Sequence, residues 1–333
     1  MKILFIGLGS IGQRHLVNAK KIFKGAKFFA LRKTSSKNII KETKLIKKMS
    51  LKKYYNIIEL KNYKSALKLK PNLTFVCNPS ARHLIDSYNF AKNGSDLFIE
   101  KPLGNSNFLY KKLLKEIKKK KLISMIGYQM RFNPIIRYIE KILKDKTYGK
   151  VFSADFKNLS YLPKYHTYEN YKNSYVAKKK LGGGALASQI HEIDLITNFF
   201  GFPEKTFNSR INSKLIDIEA EEEFSSLMIF KDKNHKFNLS LRISLSNFLE
   251  ERCFKIFLEK ATISADLIKN RIEIKLNNKN KFIKKKFNFN RNDLFNEELK
   301  LLKKSIIHRR NNFLSLANNY LTQKLYFKLL KES

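Results

Sequence analysis

The chain has 333 residues, 68 lysines and arginines against 28 aspartates and glutamates, a formal net charge of +40 and 43% hydrophobic content. Its length exceeds the roughly 150 residues of one ordinary domain and its apolar content fills a core, which excludes a disordered or fibrous chain and predicts two globular domains. Cys77 and Cys253 give neither metal-ligand spacing nor a disulfide framework, and no apolar run approaches the roughly 18 residues of a membrane span; the expectation is a metal-free protein of the reducing cytoplasm that does not meet a membrane.

The opening run Ile3 to Ile6 meets Gly7 at once and is too short for a signal-peptide core. It predicts instead a first buried strand. Phe28 to Leu31, Leu73 to Cys77, Leu97 to Ile99 and Ile123 to Ile126 read as further strands buried on both faces, as in a parallel sheet. Amphipathic stretches at Arg14 to Phe23, His83 to Lys92 and Leu109 to Lys119 alternate with them. Strand and helix in this order predict an α/β, doubly wound parallel sheet over residues 1–123.

The texture changes near residue 150. Phe237, Leu239, Leu241, Ile243 and Leu245 alternate with Asn238, Ser240, Arg242 and Ser244, the pattern of a half-buried antiparallel strand. Val151 to Phe156, Phe224 to Phe230, Phe254 to Leu258 and Ile272 to Leu276 are its expected companions, and Asp293 to His308 and Leu314 to Leu330 the closing helices. Residues 124–333 are therefore expected to form an α+β domain with an open, mainly antiparallel sheet, its last helices packing back on the first domain.

Gly7, Leu8, Gly9, Ser10, Ile11 and Gly12 follow a strand and open a helix. That context makes them a dinucleotide fingerprint: the first glycine permits the turn, the second lets backbone approach a pyrophosphate, and the third allows close helix packing. The helix N-terminus adds unpaired N–H groups and a positive dipole end. An acidic residue at the second strand's tip would select NAD, but the tip reads Leu31, Arg32, Lys33, Thr34, Ser35, Ser36. Arg32 can take a 2′-phosphate in two-point geometry, with Lys33 and Ser35 adding contacts, so NADP is the expected cofactor and NAD the lesser alternative.

Glu100, Lys101 and Pro102 end the strand Leu97 to Ile99, which places Lys101 at the ligand crevice of such a sheet. Downstream, Gly182, Gly183 and Gly184 precede Ser188, His191 and Asp194. A helix starting near Gly184 would put that hydroxyl, imidazole and carboxylate on one face. Arg131, just beyond a strand end, either meets a phosphate or carboxylate of the ligand or pairs with a buried acid. His83, in the first turn of its helix, either faces a nicotinamide or caps and packs.

In order and spacing these pieces, together with Cys77-Asn78-Pro79, Gly127-Tyr128-Gln129-Met130-Arg131-Phe132 and Gly149-Lys150-Val151, make a chain that resembles the glucose-fructose oxidoreductase, inositol dehydrogenase and rhizopine catabolism (Gfo/Idh/MocA) family over nearly its whole length. Tyr161-Leu162-Pro163, His166, Glu169, Tyr171 and Tyr175 look like a branch associated with surface-glycan biosynthesis. The resemblance implies a Rossmann domain, a homodimer or homotetramer, and oxidation of a sugar ring hydroxyl or the reverse. It implies Lys101 and His191 as the proton relay. Ser188, Asp194, Arg131, Tyr161 and His166 are the further candidates for supporting or touching substrate: Asp194 either orients His191 or serves its helix, and the aromatic, polar stretch with Tyr161 and His166 either covers a sugar or is an ordinary surface loop. The expected cofactor contacts are Gly7, Gly9, Ser10, Ile11, Gly12, Arg32, Lys33, Ser35, Asn78, Pro79, His83, Glu100 and Lys101.

The chain departs from that family at Ser188, where an aspartate is common. A catalytically impaired NADP-binding sensor or scaffold is therefore the main rival, and glycoside cleavage through transient oxidation a related one. Specific nucleic-acid binding is not expected: only twelve of the basic residues are arginines and the lysines are spread throughout, so the positive field is expected to attract an anionic sugar, sugar phosphate or nucleotide sugar.

Overall fold

The computed structural model describes residues 1–33, 36–41, 44–104, 106–166, 168–232, 235–277, 279 and 281–331. The chain starts with β1 (Lys2–Ile6), α1 (Ser10–Ile22), β2 (Lys27–Leu31), β3 (Asn38–Lys41), β4 (Lys44–Lys48), α2 (Leu51–Tyr55), β5 (Ile58–Leu60) and α3 (Tyr63–Lys68). It continues through β6 (Leu73–Val76), α4 (His83–Lys92), β7 (Asp96–Ile99), α5 (Asn107–Lys119) and β8 (Ser124–Ile126). Six of these strands form a sheet in the order β5-β2-β1-β6-β7-β8, every pair parallel. The order reverses at β1, so a crevice opens outside the carboxyl ends of β1 and β6. Strands β6, β7 and β8 are buried at every position, as their mainly apolar residues require, with Thr74, Asp96 and Ser124 buried among them.

The second part contains α6 (Pro134–Lys144), β9 (Val151–Tyr161), α7 (Ala185–Ser188), α8 (Ile190–Phe200), β10 (Lys205–Ile211), β11 (Glu223–Asp232) and β12 (His235–Ser244). Then come β13 (Ser246–Leu258), β14 (Ala261–Asp266), β15 (Arg271–Leu276), β16 (Phe282–Lys286), α9 (Arg291–His308) and α10 (Tyr320–Lys331). The eight strands run β10-β11-β12-β9-β13-β14-β15-β16, antiparallel except where β9 lies parallel to β12. One face carries α8, whose Phe200 packs edge-on against Phe156, Phe230 and Phe237.

The sequence pattern misses β3, β4, α2, β5 and α3, where charged side chains, mostly lysines, break up the short apolar runs, and also β10, β14 and β16, the last exposed at every position. It also starts the last helix too early. Residues before Tyr320 are held in turns by asparagine side chains, with the Leu314 N–H donating to Asn312 Oδ1 at 2.7 Å and Asn319 Nδ2 donating to the Phe313 carbonyl at 2.9 Å. This segment is built into the first sheet: the Ile126 N–H donates to the Leu314 carbonyl at 2.9 Å, and the Tyr110 hydroxyl to the Leu316 carbonyl at 2.7 Å. α9 packs along α1, with the Arg14 guanidinium 4.8 Å from the Phe295 ring centroid. The parallel sheet itself runs on to Ile126, past the boundary expected after residue 123.

Candidate active site

The glycine turn lies between β1 and α1. Gly7 has φ of +89° and a Cβ there would sit 2.8 Å from the Asn78 backbone nitrogen, while a Cβ on Gly12 would sit 2.5 Å from the Gly7 carbonyl oxygen. Both positions exclude any side chain. A Cβ on Gly9 would meet no atom within 4 Å, so this side of the turn is open for backbone to approach a ligand. α1 starts there with no side-chain cap, leaving its first N–H groups directed at that space. The turn thus fits a dinucleotide pyrophosphate.

At the tip of β2, Arg32 Nη1 donates to Glu59 Oε1 at 2.7 Å and its Nη2 bonds the Ser36 carbonyl. Lys33 is exposed beside it; Ser35, expected to contact the cofactor, lies outside the described residues. Asn78 Nδ2 donates to Asp86 Oδ2 at 2.6 Å, its Oδ1 is buried without a partner, and Pro79 opens a 3-10 turn next to it.

Two expected cofactor contacts are engaged within the protein. His83 is enclosed, with Nδ1 2.7 Å from the Pro102 carbonyl and Nε2 2.6 Å from the Asn78 carbonyl. Its two nitrogens thus face carbonyls of two different turns and pack the ring between them. Glu100 turns inward, its Oε1 2.6 Å from His15 Nε2 and its Oε2 accepting from the Lys101 N–H at 3.1 Å. Burial pushes its pKa up, but the His15 hydrogen bond and the charges around it win and hold the carboxyl below its ordinary value.

Lys101 reaches across the crevice, where its Nζ donates to the Ser188 carbonyl at 2.7 Å. That carbonyl is available because the expected continuous helix from Gly184 is in fact two: α7 ends at Ser188 and α8 begins at Ile190. Ser188, His191 and Asp194 therefore do not form one face of one helix. His191 is buried, its Nε2 3.2 Å from Gln129 Nε2 and its Nδ1 without a partner. Burial, helped by the charges of Lys101, Arg252 and Arg291, drives its pKa well below the ordinary histidine value and keeps the ring neutral. The Lys101 pKa is lowered as well, by burial against the pull of Glu100.

Asp194 does not touch His191. It takes a two-point fork from Arg131, Nε to Oδ2 at 2.7 Å and Nη2 to Oδ1 at 2.9 Å, with the Thr322 hydroxyl donating at 3.3 Å. Arg131 is thus the partner of a buried acid. A second arginine–carboxylate pair, which sequence reasoning missed, lies nearer the crevice. Arg252 Nε donates to Glu192 Oε1 at 2.8 Å, yet Arg252 Nη2 and Glu192 Oε2 are both buried without partners. The Ser188 hydroxyl is in the same condition.

The floor of the site is the end of the large sheet. On the face of β9 that turns toward α8, buried Ala154 and Phe156 give way to buried Asn158 and Ser160; on β13, Ile256 and Phe254 give way to Arg252, which pairs in register with Asn158. Asn158 Nδ2 donates to Gln189 Oε1 at 2.8 Å, and Gln189 Nε2 donates to the Tyr165 hydroxyl at 2.7 Å. Buried positions that change from apolar to polar along one face were the available sequence signal. Tyr161 packs against Phe248 at a tilt of 33°, with centroids 4.5 Å apart. His166 Nδ1 lies 3.1 Å from the Tyr168 hydroxyl, which also hydrogen-bonds Ser10 of the phosphate turn. Two successive stretches of one segment therefore bridge the two sheets, since the Ser80 hydroxyl also donates to the Gly182 carbonyl at 2.9 Å.

Residues 1–128 match the model of an oxidoreductase family with an NAD-binding Rossmann fold, GFO_IDH_MocA. A curated relative, the 2,7-anhydro-N-acetylneuraminate hydratase of Escherichia coli (strain K12), is 27% identical over 128 residues, 38% of this chain and 32% of that protein. The match thus spans about a third of that relative's length. Among solved structures, a levoglucosan dehydrogenase in complex with NADH and levoglucosan superposes with a TM-score of 0.81 at 14% identity, covering 100% of this chain and 98% of that one. The myo-inositol 2-dehydrogenase of Lactobacillus plantarum gives 0.77 at 18%, with 100% and 96% covered, and a UDP-N-acetylglucosamine 3-dehydrogenase from Acidithiobacillus ferrooxidans 0.76 at 14%, with 100% and 97%. At these identities the likeness shows the fold, and it runs through both sheets. Among the described residues no helix is long and apolar enough to cross a membrane, and no group of three His, Cys, Asp or Glu side chains could hold a metal ion.

Proposed function

We propose that this chain is a nicotinamide-dependent oxidoreductase acting on a ring hydroxyl or ketone of a sugar, with Lys101 and His191 handling the proton. The observation that carries the reading is the meeting of Lys101 Nζ with the Ser188 carbonyl, which brings the lysine of the first domain beside buried, neutral His191 of the second. A bound nicotinamide supplies the hydride acceptor or donor. Lys101 Nζ, with further hydrogens to donate, holds the reacting oxygen and stabilises negative charge on it. His191 Nδ1 takes or returns the hydroxyl proton. Its lone pair is presented when the Gln129 amide, whose two ends exchange by a half-turn, accepts from the protonated Nε2. The neutral ring is the form a base needs.

The half-made fork of Arg252 and Glu192 suits a sugar hydroxyl, which accepts from Nη2 and donates to Oε2 in one contact. Lys101, Arg252 and Arg291 around the site favour an anionic substrate such as a sugar phosphate or nucleotide sugar, and a cytoplasmic role in surface-glycan biosynthesis is the context we assign. Arg32 and Lys33 are assigned to NADP. Exposed Phe207, beside its register partner Leu227, and Ile211 on the outer sheet face support a homodimer or homotetramer. Lys101→Met is expected to abolish turnover while leaving NADPH affinity within about threefold; loss of both together would refute the assigned role.

One observation favours a second reading. Among the described residues no carboxylate hydrogen-bonds His191, which fits a cofactor-binding sensor with weakened chemistry. That protein would bind NADPH and turn over no sugar.

A further inference from the structure

The tip of β2 carries no carboxylate of its own, yet the fold supplies one from the next strand. β5 is the sheet edge beside β2, in parallel register with Ala30 opposite Glu59 and Leu31 opposite Leu60. Both strands end on the side of the phosphate turn. There Glu59 Oε1 lies 2.7 Å from Arg32 Nη1, and the two side chains border a cavity of about 240 Å³ lined also by Ser36, Lys37, Ser50 and Leu51. The Arg32 side chain is 12% exposed and that of Glu59 36%. The carboxylate therefore faces the cavity and solvent more than the guanidinium does.

We infer that Glu59 sets the choice between NAD and NADP by competing for Arg32, doing from the neighbouring strand what an acid at the tip of β2 does in other dinucleotide folds. The inference rests on the cofactor reading above. A 2′-phosphate drawn by Arg32 and Lys37 meets the Glu59 charge and must release Arg32 from it. A ribose bearing only hydroxyls meets a carboxylate that accepts from them. A partly exposed ion pair is weak enough to open for an incoming phosphate, so the same chain admits both cofactors and Glu59 limits the preference for NADP.

The test is a fluorescence titration of the full chain with NADPH and with NADH, for wild type, Glu59→Gln, Glu59→Ala, Arg32→Ala and the Arg32→Ala/Glu59→Gln double variant. Removing one charge beside the phosphate is expected to raise the NADPH-to-NADH affinity ratio about tenfold in both Glu59 variants. Arg32→Ala is expected to lower NADPH affinity about tenfold and to cancel most of the gain in the double variant. A ratio within twofold of wild type in the Glu59 variants, or an undiminished gain without Arg32, overturns the inference while leaving the cofactor reading intact. Wild-type protein that binds neither dinucleotide overturns both.

Discussion

Two arginine–carboxylate pairs anchor α8, two residues apart on the helix, and they are built for different ends. Asp194 is 0% exposed and Arg131 11%, and both points of their fork are made. Glu192 is buried too, but Arg252 is 24% exposed and only one point is made. A closed fork satisfies its own hydrogen-bonding groups and holds the helix to the 3-10 turn that carries Gln129 and Arg131. An open one leaves a donor and an acceptor without partners, at a cost that binding can recover. The two pairs differ in the unmade bond, and it is on that bond that the proposed substrate contact of Arg252 rests, since both are partly or fully buried arginines beside an acid.

The comparison breaks most visibly in stability. Asp194→Asn leaves Arg131 buried beside a neutral amide, and Arg131→Met leaves Asp194 as an uncompensated buried charge; either should lower unfolding free energy by about 3–5 kcal/mol in denaturant titrations. Glu192→Gln, at the more open pair, keeps an acceptor for Arg252 Nε and leaves an arginine that is 24% exposed, so it should cost less, about 1–2 kcal/mol in the same assay. Its effect should appear in kinetics, with KM for the sugar raised about tenfold, kcat changed less, and NADPH affinity unchanged. Equal losses of stability in the two pairs would erase the distinction.

A smaller effect concerns pH. His191 has its pKa depressed when folded, so the native ring stays neutral where the unfolded one, near pH 6.5, begins to take a proton. Stability should therefore fall as pH drops below about 6.5 and level off only once pH passes the lower folded value. In the oxidative direction kcat/KM should hold its plateau through pH 6.5 and fall only at more acid pH. The stability slope should weaken in His191→Asn; an unchanged slope would move its cause to another group.

Much of the first domain was legible because its buried parallel strands are short, mainly apolar runs and the glycine turn has a fixed relation to the first of them. Gly7 and Gly12 are where backbone lies too close for a Cβ, and Lys101 stands at the crevice the topology predicts. What the linear pattern lacks is the third dimension of side-chain pairing. His83 and Glu100 carry the right groups at the right strand ends, yet their nitrogens and oxygens are taken by local carbonyls and by His15. The acid beside Arg32 was invisible because Glu59 belongs to a three-residue edge strand, too short and too lysine-flanked to show a period. Arg252 sits in a strand whose face turns polar only at its end, which reads as solvent until the partner strand is seen to turn polar at the same level.

The most direct measurement is to incubate wild type and His191→Asn with NADP and, in turn, a panel of sugars, sugar phosphates and nucleotide sugars, following nicotinamide absorbance, with NADPH affinity measured in parallel. The account predicts reduced nicotinamide from wild type with at least one of these sugars, its loss in His191→Asn, and NADPH affinity equal in both. Tight NADPH binding with no reduction on any of them would contradict it and make this chain a binding protein on an enzyme's fold.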